Sequence, residues 1–164
     1  MYYTIYNDEL YTPISREVSR AADEAYSDSG QSLYDSVVLT SRDYSTVDKC
    51  IDDAVSALVS RAFDICKYSP ETKEVEAEGD EEGETETVLT GRMRLHFYVP
   101  DMDPSMEDAA KAEISRYIAL FVCSKVFATR RPALAQPYLD DAQAALNKAI
   151  TILKSRKAPQ ETWS

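Results

Sequence analysis

The sequence predicts a mainly α fold, an antiparallel helical bundle with an inserted β-hairpin. Three observations predict it. Apolar residues recur at helical spacing over three long stretches, near 46–67, 104–129 and 137–156. Between the first two, near 72–99, composition shifts to Glu, Thr and Gly and the pattern shifts to period two. Turn residues are scarce, four Gly and seven Pro in 164 residues, and the prolines fall where helical patterns begin or stop. The length suits one domain, here 1–156, with 157–164 as a tail.

Residues 1–11 hold Tyr2, Tyr3, Tyr6 and Tyr11, which suggests an extended arm docked on a neighbour or on its own body. Thr12-Pro13 reads as an N-cap followed by a proline at the first helical position. Ile14, Val18, Ala21, Ala22 and Ala25 continue that helix, and Ser27–Gly30 stops it. Residues 31–40 fit a short helix or a strand. Ser45-Thr46-Val47-Asp48 resembles a capping box, with Asp in place of the usual Glu. The apolar face that follows predicts a helix near 46–67, about 33 Å long. Ser69-Pro70 should end it, because the residue before proline avoids helical geometry.

In the hairpin, Met93, Leu95, Phe97 and Val99 alternate with Arg92, Arg94, His96 and Tyr98, as in a half-buried strand. Gly79-Asp80-Glu81-Glu82-Gly83 has the chemistry of its turn. Asp103-Pro104 repeats the cap-and-proline device. Glu107 and Asp108 sit in the first turn and Arg130-Arg131-Pro132 closes the end, an order that matches the helix dipole. The centre of this helix, Tyr117–Cys123, is apolar nearly all round, so it should be the buried one. Gln136-Pro137 opens the last helix. Trp163 is a large aromatic for a tail, and a docked tail would explain it. The expected core is Val47, Ile51, Val55, Leu58, Ala62, Ile114, Ile118, Phe121, Val122, Leu139, Leu146, Ile150 and Leu153.

The net charge is −11. Nine acids (Glu71, Glu74, Glu76, Glu78, Asp80, Glu81, Glu82, Glu84 and Glu86) stand against Lys73 alone, so this segment carries −8 and the rest −3. That argues against a basic footprint on nucleic acid as a global property. The pairs Arg92/Arg94 and Arg130/Arg131 remain candidate contacts. The acidic segment reads either as a solubilising surface loop or as an arm presenting negative charge to a basic partner.

Sites of chemistry are scarce. The three cysteines are widely spaced and lie in apolar helical patterns, which points to free buried thiols in a reducing compartment. No CxxC occurs and the one histidine is His96, so zinc is not expected. His96 reads as a strand residue. Phosphate-loop, nucleophile-elbow, zinc-protease and EF-hand patterns are absent. The N-terminus lacks a basic region and an apolar core, so synthesis in the cytoplasm is expected. Asp48, Asp52 and Asp53 on one helix, with Glu107 and Asp108 on another, raise one enzymatic idea. Facing helical carboxylates hold Mg²⁺ in all-α nucleotide pyrophosphatases. Acids at helix starts also have a dipole explanation.

The order of elements then matters. A long helix ends at Tyr68-Ser69-Pro70 and a hairpin follows. Next come VPDMDPSMEDAAKAEISRYIALFVCSKVFATRRP and a final amphipathic helix, PYLDDAQAALNKAITILKS. Over about residues 45–156 this layout resembles the head–tail connector (adaptor) proteins of tailed bacteriophages and prophages. There, a proline–acid start leads into a helix with an apolar middle that ends in an Arg-rich turn. The Tyr-rich start and the acidic hairpin depart from the shorter members. The resemblance implies a non-enzymatic virion protein made in the host cytoplasm, without cofactor or membrane. It implies a homo-oligomeric ring meeting portal and tail or neck proteins, through which DNA passes without sequence-specific binding. The expected assembly residues are Glu74, Glu76, Glu78, Asp80, Glu81, Glu82, Glu84, Glu86, Arg92, Arg94, Arg130, Arg131, Tyr2, Tyr3, Tyr6 and Trp163. The alternative is a small intracellular helical module whose acidic hairpin binds a basic protein.

Overall fold

In the computed structural model, residues 1–27, 29–76, 85–100 and 102–155 are described, the strand segments 68–76 and 85–92 by their backbone alone. The expected turn at Gly79–Gly83 and Trp163 lie outside the described residues. The fold is mainly α with a three-stranded antiparallel sheet. Strand β1 (Tyr2–Tyr6) leads into α1 (Asn7–Asp23), a short α2 (Tyr34–Val37) and α3 (Tyr44–Arg61). The hairpin β2 (Cys66–Glu76) and β3 (Thr85–Phe97) follows, then α4 (Glu107–Arg130) and α5 (Pro132–Leu153). The sheet order is β1-β3-β2.

The arm at the N-terminus docks on its own chain. Tyr2 to Tyr6 pair with His96 to Arg92. Strand alternation then turns Ile5, Met93, Leu95 and Phe97 into the core. The pairing also moves the start of α1. It begins at Asn7, not at Thr12-Pro13, because β1 holds the chain extended through Tyr6 and the buried stripe already includes Asn7 and Leu10. Asp8 and Glu9 in its first turn suit the dipole. Pro13 is interior and exposed; it forgoes only the bond to the Glu9 carbonyl.

The other boundaries shift for similar reasons. The capping box forms at Thr40 and Asp43, where the Thr40 amide donates to Asp43 Oδ2 at 2.7 Å, and not at Ser45/Asp48. Helix α3 stops at Arg61, short of 67, because Cys66 is already paired with Phe97. The hairpin therefore starts at Cys66 rather than 72. Pro70 lies within β2, with a register shift between it and Thr72. Helix α5 starts at Pro132, not at Pro137, because Arg131 leaves helical geometry at φ −146° and places proline at the first position. Asp103 caps as expected, its Oδ1 accepting from the Ser105 amide at 3.0 Å.

Helix α4 packs against α5, α3 and α1. Ile114, Ile118, Val122 and Phe127 are fully enclosed at its centre. Of the expected core, Phe121 and Ile150 are only partly buried, and Leu139 is 37% exposed. Leu139 sits on the outer flank of α5, where Ala142 and Leu146 face inward instead. No described helix is long and apolar enough to cross a membrane.

Candidate functional site

The outer face of the sheet gathers several of the residues singled out from sequence. The register sets Tyr2, His96 and Lys67 in one row across the three strands. Thr4, Arg94 and Ser69 form the next row, and Tyr6 pairs with Arg92 beyond it. Tyr2 stacks on His96 with ring centroids 4.2 Å apart and 7° between planes. Both Tyr2 (65%) and Tyr98 (71%) remain exposed, and Phe63 in the turn before β2 is 79% exposed. Basic and aromatic groups thus share the root of the hairpin.

Beyond Tyr6 and Arg92, β2 and β3 run on as a two-stranded ribbon. There Glu74 pairs with Thr87, Val75 with Glu86 and Glu76 with Thr85. Glu78, Asp80, Glu81, Glu82 and Glu84 lie outside the described residues.

Three other sequence candidates are engaged within the chain. Tyr3 points inward and its hydroxyl meets that of Ser115, fastening β1 to α4. Arg130 donates to the Val37 and Val38 carbonyls and pairs with Asp43 at 2.6 Å. Arg131 donates to the Ala21 carbonyl at 2.6 Å.

A groove that the sequence reading missed lies between α1, α4 and α5. It encloses about 520 Å³. Leu10, Pro13, Ala119 and Leu120 supply its apolar lining, and its charged groups are of both signs, Arg16, Arg20 and Arg116 with Glu17 and Asp141. Arg20 donates to Glu17 at 2.8 Å and to the Tyr138 hydroxyl at 3.1 Å, and that hydroxyl donates to Glu17 at 2.8 Å. Burial opposes the Glu17 charge, but the bonds from Arg20 and Tyr138 prevail and hold its pKa below the ordinary value. Arg16 has no hydrogen-bond or ion-pair partner among the described residues. The available signal was Arg16 and Arg20 at i and i+4 on one face, but Arg116 reaches that face only through packing of α4.

The carboxylates considered for Mg²⁺ take separate roles. Asp48 Oδ1 accepts from Asn7 at 3.0 Å and from Tyr11 at 2.5 Å, and Tyr11 stacks on Tyr44 at 4.4 Å. Burial, then Asp48 and Asp53, raise the pKa of Asp52. Glu107 pairs with Lys111 at 2.8 Å. Among the described residues no three His, Cys, Asp or Glu side chains are grouped to hold a metal ion. The thiols of Cys66 and Cys123 are buried and pushed up to about 12, so they stay protonated at neutral pH. No protein-family model, curated protein or solved structure matches this chain.

Proposed function

We propose that this chain is a structural subunit of a head–tail connector, several copies of which close into a ring between portal and tail with DNA passing through the middle. The observation that supports it most is the ribbon. The helices and the root of the sheet bury one continuous core. Strands β2 and β3 then extend past the last residues paired with β1. A two-stranded extension offers its strand edges for contact with other molecules. Its sequence is the acidic part of the chain, and carboxylates facing a phosphate backbone repel it, so DNA slides without sticking. The exposed aromatics at its root offer contact area of the kind interfaces use. The order of helices around the hairpin resembles the layout of that family.

Negative-stain imaging and sedimentation of the purified chain, alone and with its portal, test this reading. Rings of uniform diameter are expected. A monomer that never joins portal overturns it, and a one-to-one complex with a basic protein would favour the helical binding module instead.

A further inference from the structure

We infer that β1 pairs edge to edge with β1 of a second copy of this chain, antiparallel about a twofold axis at Thr4. The bonds at the end of the sheet fix which way each backbone group points. The Met1 nitrogen donates to the Phe97 carbonyl at 3.0 Å, and the Phe97 amide donates to the Met1 carbonyl at 2.9 Å. Met1 and Phe97 are therefore a hydrogen-bonded pair, and alternation makes Tyr3–Leu95 and Ile5–Met93 the next ones. Tyr2 and Thr4 lie between them, so their amides and carbonyls point away from β3, along the open edge of the sheet. Among the described residues no hydrogen bond engages them. The opposite edge is guarded. At the root of β2 the Cys66 amide donates to the Ala62 carbonyl at 2.7 Å, Lys67 places a charge on the strand, and Pro70 has no amide to offer. Strand β1 has no charge, proline or register shift.

The strand is complementary to itself. Turned about Thr4, YYTIY sets Tyr2 against Tyr6, Tyr3 against Ile5, and Thr4 against its own copy. Aromatic, aromatic–β-branched and Thr–Thr pairs are each favourable across antiparallel strands. With no charged side chain in β1, no like charges are opposed. The faces match as well. Tyr2, Thr4 and Tyr6 share the outer face, while Tyr3 and Ile5 face the helices. A shift of one residue would set inner side chains against outer ones, and a shift of two would shorten the ladder. The product is one six-stranded sheet, β2-β3-β1 continued by β1-β3-β2 of the second copy. An isologous contact of this kind closes at two copies, whereas a ring needs a heterologous one. The inference therefore stands apart from the connector reading.

Disulfide trapping tests the register, in a Cys50→Ser background that removes the half-buried native thiol. Across a hydrogen-bonded antiparallel pair the Cα atoms stand about 5.5 Å apart, within reach of a disulfide. Thr4→Cys should therefore link into covalent dimers under mild oxidation. Tyr2 is the more exposed position, but in this register it lies about 14 Å along the strands from its own copy, so Tyr2→Cys should not link. Equal linking at both positions means random collision and overturns the inference. So does the absence of linking by Thr4→Cys at chain concentrations up to about 1 mM. A Thr4→Cys chain that links to a Lys67→Cys chain in place of its own copy would put β2 at this edge and overturn it too. Charge reversal gives a second readout. Thr4→Lys and Thr4→Asp chains each oppose like charges at the axis. Each alone should lose the dimer, and an equimolar mixture should regain it in sedimentation equilibrium, with circular dichroism unchanged throughout. A mixture no more associated than either chain alone overturns the twofold contact. Where a charge disturbs the sheet, Thr4→Pro takes its place. It removes one outward amide and no bond to β3, and should weaken dimerisation roughly tenfold or more. Unchanged dimerisation of that variant overturns the pairing.

Discussion

One nitrogen of Arg130 donates to the carbonyls of Val37 (3.0 Å) and Val38 (2.5 Å), and the other meets Asp43 at 2.6 Å. A single side chain thus ties the end of α4 to the segment between α2 and α3. Arg130→Ala would strand two carbonyls and a carboxylate, at a cost of about 2–3 kcal/mol, and urea unfolding should register it. A loss within error of zero would mean that water replaces the guanidinium freely. The Asp43 pKa is lowered, first by the Thr40 amide and also by Arg130, against burial. A lowered carboxylate adds stability above its unfolded pKa and loses it as pH falls through the folded one. The gap between wild type and Arg130→Ala should therefore narrow below about pH 4. The thiols act on the other side. Burial raises Cys66 and Cys123 to about 12. Unfolded thiols ionise near 8.5, so this contribution is complete below about pH 8.5 and disappears as pH rises towards 12. Thermal melts should decline over that range. At pH 8 a chromogenic disulfide should react with half-buried Cys50 well before the other two, and rapid reaction of all three in the folded chain would contradict the burial.

Two neighbours on α4 separate packing from patterning. Ile118 is wholly enclosed, whereas Phe121 is partly exposed, with Lys125 Nζ 5.1 Å from its ring centroid. Ile118→Ala should cost about 2–5 kcal/mol. Phe121→Ala should cost clearly less, even though the larger side chain is removed. The reverse order in denaturant midpoints would show that the exposed flank of α4 is covered in solution. A charge at Leu58, wholly buried, should still abolish folding, while one at Phe121 should not. The hydrophobic period located α4 well but could not tell these two positions apart, because its centre is apolar nearly all round. Boundaries were legible where a cap needed only local residues, as at Asp103. They were not where a distant partner decided. Thr40/Asp43 and Ser45/Asp48 carry the same capping motif, yet Asp48 is taken by Asn7 and Tyr11, so only the first forms. Strand β1 gave little local sign, since what makes Tyr2–Tyr6 a strand is β3, distant in sequence. The arginine groove was hidden for the same reason.

At the scale of the molecule, the ribbon and the body should be separable. Helices α1, α3, α4 and α5 and the sheet root share one core, and beyond Tyr6 and Arg92 the ribbon is described by the ladder between β2 and β3. A two-stranded hairpin contributes little stability by itself. Replacing residues 77–84, between paired Glu76 and Thr85, with a two-residue Asn-Gly turn should leave the helical circular dichroism and the melting midpoint of the body unchanged. Assembly should suffer instead. If the acids meet basic partners, wild-type ring yield falls as salt rises from about 0.05 to 0.5 M, because screening shortens the reach of each carboxylate to a few ångströms. The shortened chain should assemble poorly at low salt and show little further loss at high salt, since the charges that salt screens are already gone. Equal ring yields for both chains across the salt series would assign the acids to solubility alone and leave assembly to the aromatic root of the hairpin.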